Sequence, residues 1–405
     1  SLSMKQATLN LSGKDAPVTL TTDDFKSENG TLAVKVTDDA HSLLNTKTAS
    51  GTVYVSANGE KGVTPASELA KTKIMSFDQG SSVTLKGVTT MTDESMYGIV
   101  TPVSQDESAG YVGGKYEVDK NVVSDKALHT IGAVRRAGRF IMAGMDAPLY
   151  PDSNDENVWA HWSRGNYGPG DWSGSHNDLA AGVDLYHTDH SRAGISVMHT
   201  NSSLDRTENL GEVSMKKKFT RVFLYGRHDF AGGLYAAGDV FAGGIRIKDT
   251  SLVDMSTRTA GVHAEVCVDV PAGRGTITPL VRAAYAGIRG FTTKDGEGFP
   301  FTMKESHYSS FSAGLKASLP LSPVSLLTAY AGWGIRTGYD IDGTMSDAWN
   351  TMDISESGKE HVKTLGIGYR CDVTPFARLS LSAAREFSSG LHDDWNFQVS
   401  AAYKF

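Results

Sequence analysis

The chain has 405 residues, a formal net charge of -7, 43 Gly, 12 Pro and two Cys, with a mean hydropathy of -0.26. Two Cys exclude a disulfide framework, the mild acidity argues against a nucleic-acid partner, and no apolar run reaches the ~18 residues of a transmembrane helix. Ser1-Leu2-Ser3-Met4-Lys5 leads straight into polar, strand-like sequence without the regions of a signal peptide. The chain is therefore expected to be cytoplasmic or a piece of a longer precursor.

Residues 1–120 carry short strand candidates at Ala7–Leu11, Val18–Thr21, Leu32–Val36, Val53–Ser56, Val83–Leu85 and Lys115–Val118. Turn-rich pieces such as Ser27-Glu28-Asn29-Gly30 and Ala57-Asn58-Gly59 separate them. Short strands between polar turns fit rungs of a parallel β-helix or a small sandwich. No exact repeat period is visible, and the amino end reads as if earlier rungs preceded it.

Residues 121–150 form a linker with one helix. Ser124 is placed to N-cap it, with Asp125 on the positive end of the dipole. The run continues to about Met145, and Pro148 is expected to stop it. About twenty residues at 1.5 Å span roughly 30 Å, one bilayer's hydrocarbon. Arg135, Arg136 and Arg139 forbid contact with lipid. Together with the small residues Gly132, Ala133, Ala137 and Gly138 they suit a helix inside a narrow polar lumen.

Residues 151–405 are governed by a period of two. Ala260, Val262, Ala264, Val266, Val268 and Val270 alternate with Gly261, His263, Glu265, Cys267 and Asp269. Phe311, Ala313, Leu315, Ala317 and Leu319 do the same, as do Trp395, Phe397, Val399, Ala401, Tyr403 and Phe405. Such strands have one apolar and one polar face. Twelve segments of this kind lie near 157–164, 179–187, 191–200, 217–229, 233–247, 257–270, 275–289, 308–319, 324–337, 361–373, 376–387 and 393–405. Most have the length that crosses a bilayer when tilted. Short connections (188–190, Gly232, 271–274, 320–323, 374–375) alternate with long ones (165–177, 201–216, 248–256, 290–307, 338–358), the pattern of periplasmic turns and extracellular loops. The last connection, 388–390, is short on the long side. The expected fold is all-β: a twelve-stranded antiparallel transmembrane β-barrel with a central α-helix, preceded by a short β-helix-like segment.

Within the barrel Asp184, Asp239, Glu265 and Glu386 fall on the lumen phase and are expected to partner the helix arginines. Cys267 falls on the lumen phase and Cys371 on the lipid phase, so no disulfide is expected between them. Ser175-His176-Asn177 contains triad residue types, but three consecutive loop residues cannot aim at one another. His187, Asp189, His190 and His199 cluster beside a periplasmic turn and read as solvated rather than as a metal or protease centre. No nucleophile elbow or nucleotide loop is present. No catalytic, cofactor or metal site is expected.

The order of a β-rich segment, a lone helix, twelve strands and a terminal aromatic resembles a monomeric autotransporter of the type V secretion class. Val18-Thr-Leu-Thr-Thr-Asp-Asp-Phe25 through Ala49-Ser-Gly-Thr-Val-Tyr-Val55 resembles the last rungs of pertactin-like passengers, and Phe223-Leu-Tyr-Gly-Arg-His-Asp-Phe-Ala-Gly-Gly-Leu-Tyr235 resembles a barrel hairpin of that family. The resemblance implies an outer-membrane protein of a Gram-negative bacterium, a monomer that exports and anchors its own passenger. It implies outer-membrane lipid, periplasmic chaperones and the barrel-assembly machinery as partners. It makes the terminal strand (Phe397, Val399, Ala401, Tyr403, Phe405) an assembly signal. Asn121 is followed by Val122, not by the second Asn that self-cleaving members carry, so no cleavage is expected there. A porin-like or adhesin barrel, and less so an outer-membrane hydrolase, are the competing readings.

Overall fold

The computed structural model describes residues 1–12, 17–36, 41–58, 69–91, 94–147, 157–168, 172–208, 211–249, 254–293, 298–338, 341–347, 350–388 and 392–404. The chain divides into two compact units, residues 1–128 with 346–351, and residues 129–345 with 352–405.

The first unit is built from β1 (Leu2–Lys5), β2 (Thr8–Asn10), β3 (Thr19–Lys35), β4 (Leu43–Asn58), β5 (Leu69–Ser76) and β6 (Ser82–Gly87). Their mutual pairings are parallel: β1 and β2 on β3, β3 on β4, β4 on β5 and β6. Leu2 faces Phe25 and Thr8 faces Thr31, an offset of 23 residues; Thr19 faces Leu43, an offset of 24. These are rungs of a β-helix, which decides between the two folds left open above. The period escapes inspection because the offset is not constant: a register shift at Glu28/Gly30 changes it by one within a rung, and from β4 to β5 and β6 it lengthens to 31 and 32 residues (Leu44 faces Met75, Ser50 faces Ser82). Asn29 bends the chain there at φ 56, a conformation Asn tolerates better than most residues. Ser27-Glu28-Asn29-Gly30 is thus a corner inside a continuous strand. Apolar side chains stack inward along the rungs, among them Phe25, Leu32, Val34, Leu44, Val53, Val55 and Ile74.

After β7 (Thr89–Thr90), β8 (Tyr97–Val100), β9 (Val103–Gln105), β10 (Ala109–Gly114) and β11 (Glu117–Val123) the pairing becomes antiparallel: β10 joins β5 and β9, and β8 joins β7 and β11. Antiparallel strands give one end of the stack a cover, which a bare parallel edge would lack.

Helix α1 (Asp125–Met142) begins at Ser124, whose hydroxyl accepts the Ala127 N–H at 3.2 Å. It stops three residues before Met145. Gly144 takes φ 80, the left-handed conformation that ends helices, while Pro148 lies outside the described residues.

The barrel comprises β12 (Val158–Gly168), β13 (Trp172–His187), β14 (Ser191–Glu208), β15 (Gly211–Asp229), β16 (Leu234–Asp249), β17 (Asp254–Val268) with the short β18 (Val270–Ala272), and β19 (Gly275–Ile288). It continues, after β20 (Phe291–Thr292) and β21 (Phe301–Met303), with β22 (Ser306–Ser322) and β23 (Ser325–Thr337). After β24 (Ile341–Ser346) and β25 (Thr351–Glu356) come β26 (Lys359–Thr374), β27 (Ala377–Phe387) and β28 (His392–Tyr403). Each of the twelve long strands pairs antiparallel with the next, and β28 closes on β12. All twelve expected segments are strands. The described parts of the stretches expected as loops, 165–168 with 172–177 and 201–208 with 211–216, are instead continuations of the strands β12, β13, β14 and β15. The turn 389–391 lies outside the described residues.

Candidate functional site: the occupied barrel lumen

From His129 onward α1 belongs to the barrel unit. Ala133, Val134, Ala137, Phe140 and Ile141 are buried, and Phe140 meets Tyr167 of β12 edge-on at 5.8 Å. Small residues set the fit. A methyl group at Gly138 would stand 2.1 Å from Cδ1 of Ile341 on β24. The strands β20, β21, β24 and β25 form a four-stranded sheet from two of the long connections. The sheet and the residues leading into it reach the helix at three places: Phe299 N–H, just before β21, donates to Thr130 Oγ1 at 3.2 Å, Ile341 packs on Gly138, and Glu356 receives Arg139 at 2.6 Å and Arg135 at 3.5 Å.

The carboxyl end of the helix is held by cations on the barrel wall. Helix ends leave carbonyls without donors and carry partial negative charge. Lys217 Nζ donates to the carbonyls of Phe140 (2.8 Å) and Ala143 (2.9 Å), and Arg221 to that of Gly144 (3.0 Å). His263 Nε2 meets the carbonyl of Met145 at 2.7 Å, and its Nδ1 meets Asp239 at 2.6 Å. The Arg221 guanidinium lies among the rings of Phe219, Phe223 and Phe241, which fix its direction. Charge-assisted bonds of this kind are the stronger ones.

The four lumen acids face inward, but Arg135 and Arg139 do not meet them. Glu356, at the outer mouth, takes both. Arg136 is buried, its guanidinium 3.1 Å from where a Gly132 side chain would begin. Asp184 accepts from the Tyr225 hydroxyl at 2.7 Å and sits 3.2 Å from His187, and Glu265 pairs with Arg282. Asp239 and Glu386 act on the threading segment through intermediaries: Asp239 through His263, and Glu386 through Arg336, which bridges it (3.1 Å) to Asp146 (2.7 Å). The expectation of acids on the wall and cations on the helix left out the helix's terminal carbonyls, which draw wall cations of their own. The signal was available: Lys217, Arg221 and His263 all sit on the lumen phase. Beside the helix end lies a cavity of about 260 Å3, lined by Met142, Asp146, Tyr167, Arg282, Arg336 and Glu386 among others.

The triad candidate dissolves on inspection. Residues 175–177 lie in strand β13, not a loop, so their side chains alternate across the wall. Ser175 and His176 are consecutive in that strand and so point to opposite faces, and His176 Nδ1 lies 2.9 Å from Asp178, which also accepts from the Ser163 hydroxyl at 2.9 Å. His199 points outward onto Thr220 at 2.8 Å. Both cysteines are free thiols. Phe397, Val399, Ala401 and Tyr403 of β28 are exposed on the outer face, and Phe405 lies outside the described residues. Asn121 is part of β11.

A closed antiparallel barrel, apolar outside and polar inside, threaded by a helix, is the architecture of an outer-membrane translocator. Residues 157–384 match the autotransporter beta-domain family, and the chain belongs to that family. The transport unit of AIDA-I from Escherichia coli is similar at 15% identity and a TM-score of 0.50, covering 68% of this chain and 99% of that one. The translocator domain of NalP from Neisseria meningitidis is similar at 17% identity and a TM-score of 0.45, covering 69% of this chain and 98% of that one. The beta domain of BrkA from Bordetella is similar at 15% identity and a TM-score of 0.48, covering 62% and 100%. No curated protein sequence matches this chain. The barrel is an outer-membrane translocator of type V secretion in a Gram-negative bacterium; its task is export of a passenger, and translocator barrels of this family are not enzymatic.

Proposed function

We propose that residues 1–120 are the carboxyl-terminal rungs of the passenger, that they cross this barrel and fold outside, and that α1 then seals the lumen. The observation that carries the reading is the grip of Lys217, Arg221 and His263 on the helix carbonyls. Such a grip becomes available only when the helix end has arrived, so docking and completion of transit coincide. The stacked apolar core and antiparallel cover of the β-helix suit it to fold as a nucleus that biases movement outward. No catalytic step is placed in this chain. The species is taken to be an uncleaved monomer. Periplasmic chaperones and the assembly machinery would deliver it, the latter by pairing with the apolar edge of β28.

Planar-bilayer conductance and surface proteolysis test this together. The whole chain should conduct poorly, a chain lacking residues 122–150 should conduct freely, and protease added to intact cells should remove residues 1–120 while sparing the barrel. A whole chain that conducts as well as the deleted one would make it porin-like. A segment 1–120 protected in intact cells but not in lysed ones would place it in the periplasm and overturn the reading.

A further inference from the structure

The run Lys216-Lys217-Lys218 divides between two faces of β15. Lys217 turns into the lumen and grips the helix, while Lys216 and Lys218 point outward and are exposed. The register sets other cations beside them. Lys218 stands opposite Arg246 and Lys216 opposite Lys248, both on the outward face of β16. Arg258 of β17 is outward in the next row, and its carbonyl accepts the N–H of the outward Arg289. Like charges directly opposite in a sheet repel, and here they face each other in successive pairs. Asp254 reaches Arg246 at 3.1 Å and Lys248 at 3.5 Å; among the described residues no carboxylate pairs with Lys216, Lys218, Arg258 or Arg289.

The level of this patch names its partner. Val222, Leu224, Val240 and Val262 form the exposed apolar wall on the same strands. Lys218 precedes Val222 by four residues, on the side of the long-hairpin, extracellular end. Four residues of a tilted strand rise about 10 Å, which carries the cations into the headgroup layer. On the other side of the barrel that layer meets aromatic anchors instead. Trp333, Phe387 and Trp395 are exposed there, with Arg385 over the rings of Phe387 (4.8 Å) and Trp395 (5.1 Å). The outward rows of β15–β17 at this height hold no aromatic residue.

We propose that the outward faces of β15–β17 form a binding surface for the phosphate-bearing headgroup of an outer-leaflet lipid, with Lys216, Lys218, Arg246, Lys248 and Arg258 as its cations. The inference rests on the outer-membrane placement of the barrel and not on the fate of the passenger. Side chains that leave the wall directly above lipid-facing valines meet lipid phosphates before any soluble polyanion. Phosphate between them converts the cross-strand repulsion into attraction. It also ties this arc of the barrel to one depth in the bilayer.

The test uses the full folded chain in detergent and three probes: a bisphosphorylated acylated glucosamine disaccharide, its dephosphorylated form with the same chains, and heparin. Binding is read by native mass spectrometry and by the temperature at which the heat-modifiable band unfolds. The chain should prefer the bisphosphorylated lipid and be raised in melting temperature by it. The variant Lys216→Gln/Lys218→Gln/Arg246→Gln/Lys248→Gln should bind on the order of a hundredfold more weakly, whereas Lys359→Gln/Lys363→Gln on β26 should bind normally. Without lipid the fourfold variant should melt close to the parent, because the relieved repulsion offsets the exposed pairs lost with Asp254; if it does not fold, Lys216→Gln/Arg246→Gln carries the same comparison. Equal binding of both lipids, or full binding by the variants, overturns the proposal. Heparin binding that depends on the same residues, with no preference for the phosphorylated lipid, assigns the patch to a soluble polyanion and overturns it equally.

Discussion

In the β-helix Leu32, Val34, Leu44, Val53, Val55 and Ile74 have no solvent-accessible surface, whereas in the barrel Leu179, Leu185, Leu224 and Leu365 are more than half exposed. Charge runs the other way: Arg192, Lys217 and Arg221 of the barrel are at most 2% exposed, and Lys5, Asp23 and Lys47 of the β-helix lie open on its surface. Both regions are made of strands with the same two-residue period. The difference is which phase meets the surroundings, and that is decided by the solvent each region must face. Water favours the apolar phase inward; lipid favours it outward and leaves the polar phase to line a lumen. A lumen of that kind needs polar cargo to satisfy it, and the helix end supplies carbonyls.

The largest effect should come from removing the lumen's grip. Lys217→Met/Arg221→Met leaves the carbonyls of Phe140, Ala143 and Gly144 without these donors, at about 1–3 kcal/mol each where water cannot replace them. Conductance of the whole chain should rise while the barrel still migrates as folded. Arg135→Gln/Arg139→Gln, which releases the half-exposed pairs with Glu356, should raise it much less. An equal rise from both variants would mean that the mouth, not the helix end, holds the plug.

A smaller contrast tests the inversion itself. Leu32→Ala opens a cavity in a sealed core and should cost ~2–5 kcal/mol of β-helix stability, measured as protease resistance of residues 1–120 in denaturant. Leu365→Ala faces acyl chains that close over the gap, so barrel unfolding in lipid should move far less. Comparable losses would show that Leu365 packs against protein rather than lipid.

The smallest effect concerns pH. The Asp106 carboxylate accepts the N–H groups of Ser108 (3.0 Å) and Ala109 (2.9 Å) in the hairpin β9–β10, and these bonds, that from Ser108 foremost, hold its pKa below the ordinary carboxylate value. A depressed carboxylate stabilises the fold above its unfolded pKa and loses that contribution as pH falls through the folded value. Asp106→Asn should therefore flatten the acid limb of β-helix protease resistance slightly and leave barrel unfolding unchanged. An acid limb of unaltered slope would assign it to other carboxylates.

The sequence by itself determined a good deal. The alternation of Phe311 to Leu319 and Trp395 to Phe405 is enough to count strands, because side-chain direction in a strand is a local property. The Ser124 cap, the small residues of the helix and the lumen phase of Asp184, Asp239, Glu265 and Glu386 follow from equally local rules. Only the tertiary structure decided which lumen groups meet. Arg135 and Arg139 turn to Glu356 because a long connection folds back as a small sheet and brings a carboxylate within reach. Lys217, Arg221 and His263 converge on Phe140 to Met145 because the depth of the helix in the barrel, a long-range quantity, sets which wall residues lie beside its end. The β-helix rungs were hidden for the same reason: stacking depends on rung length and corner geometry, and offsets that run from 23 and 24 residues to 31 and 32, with a bend at Asn29 inside one rung, leave no repeat in the residues.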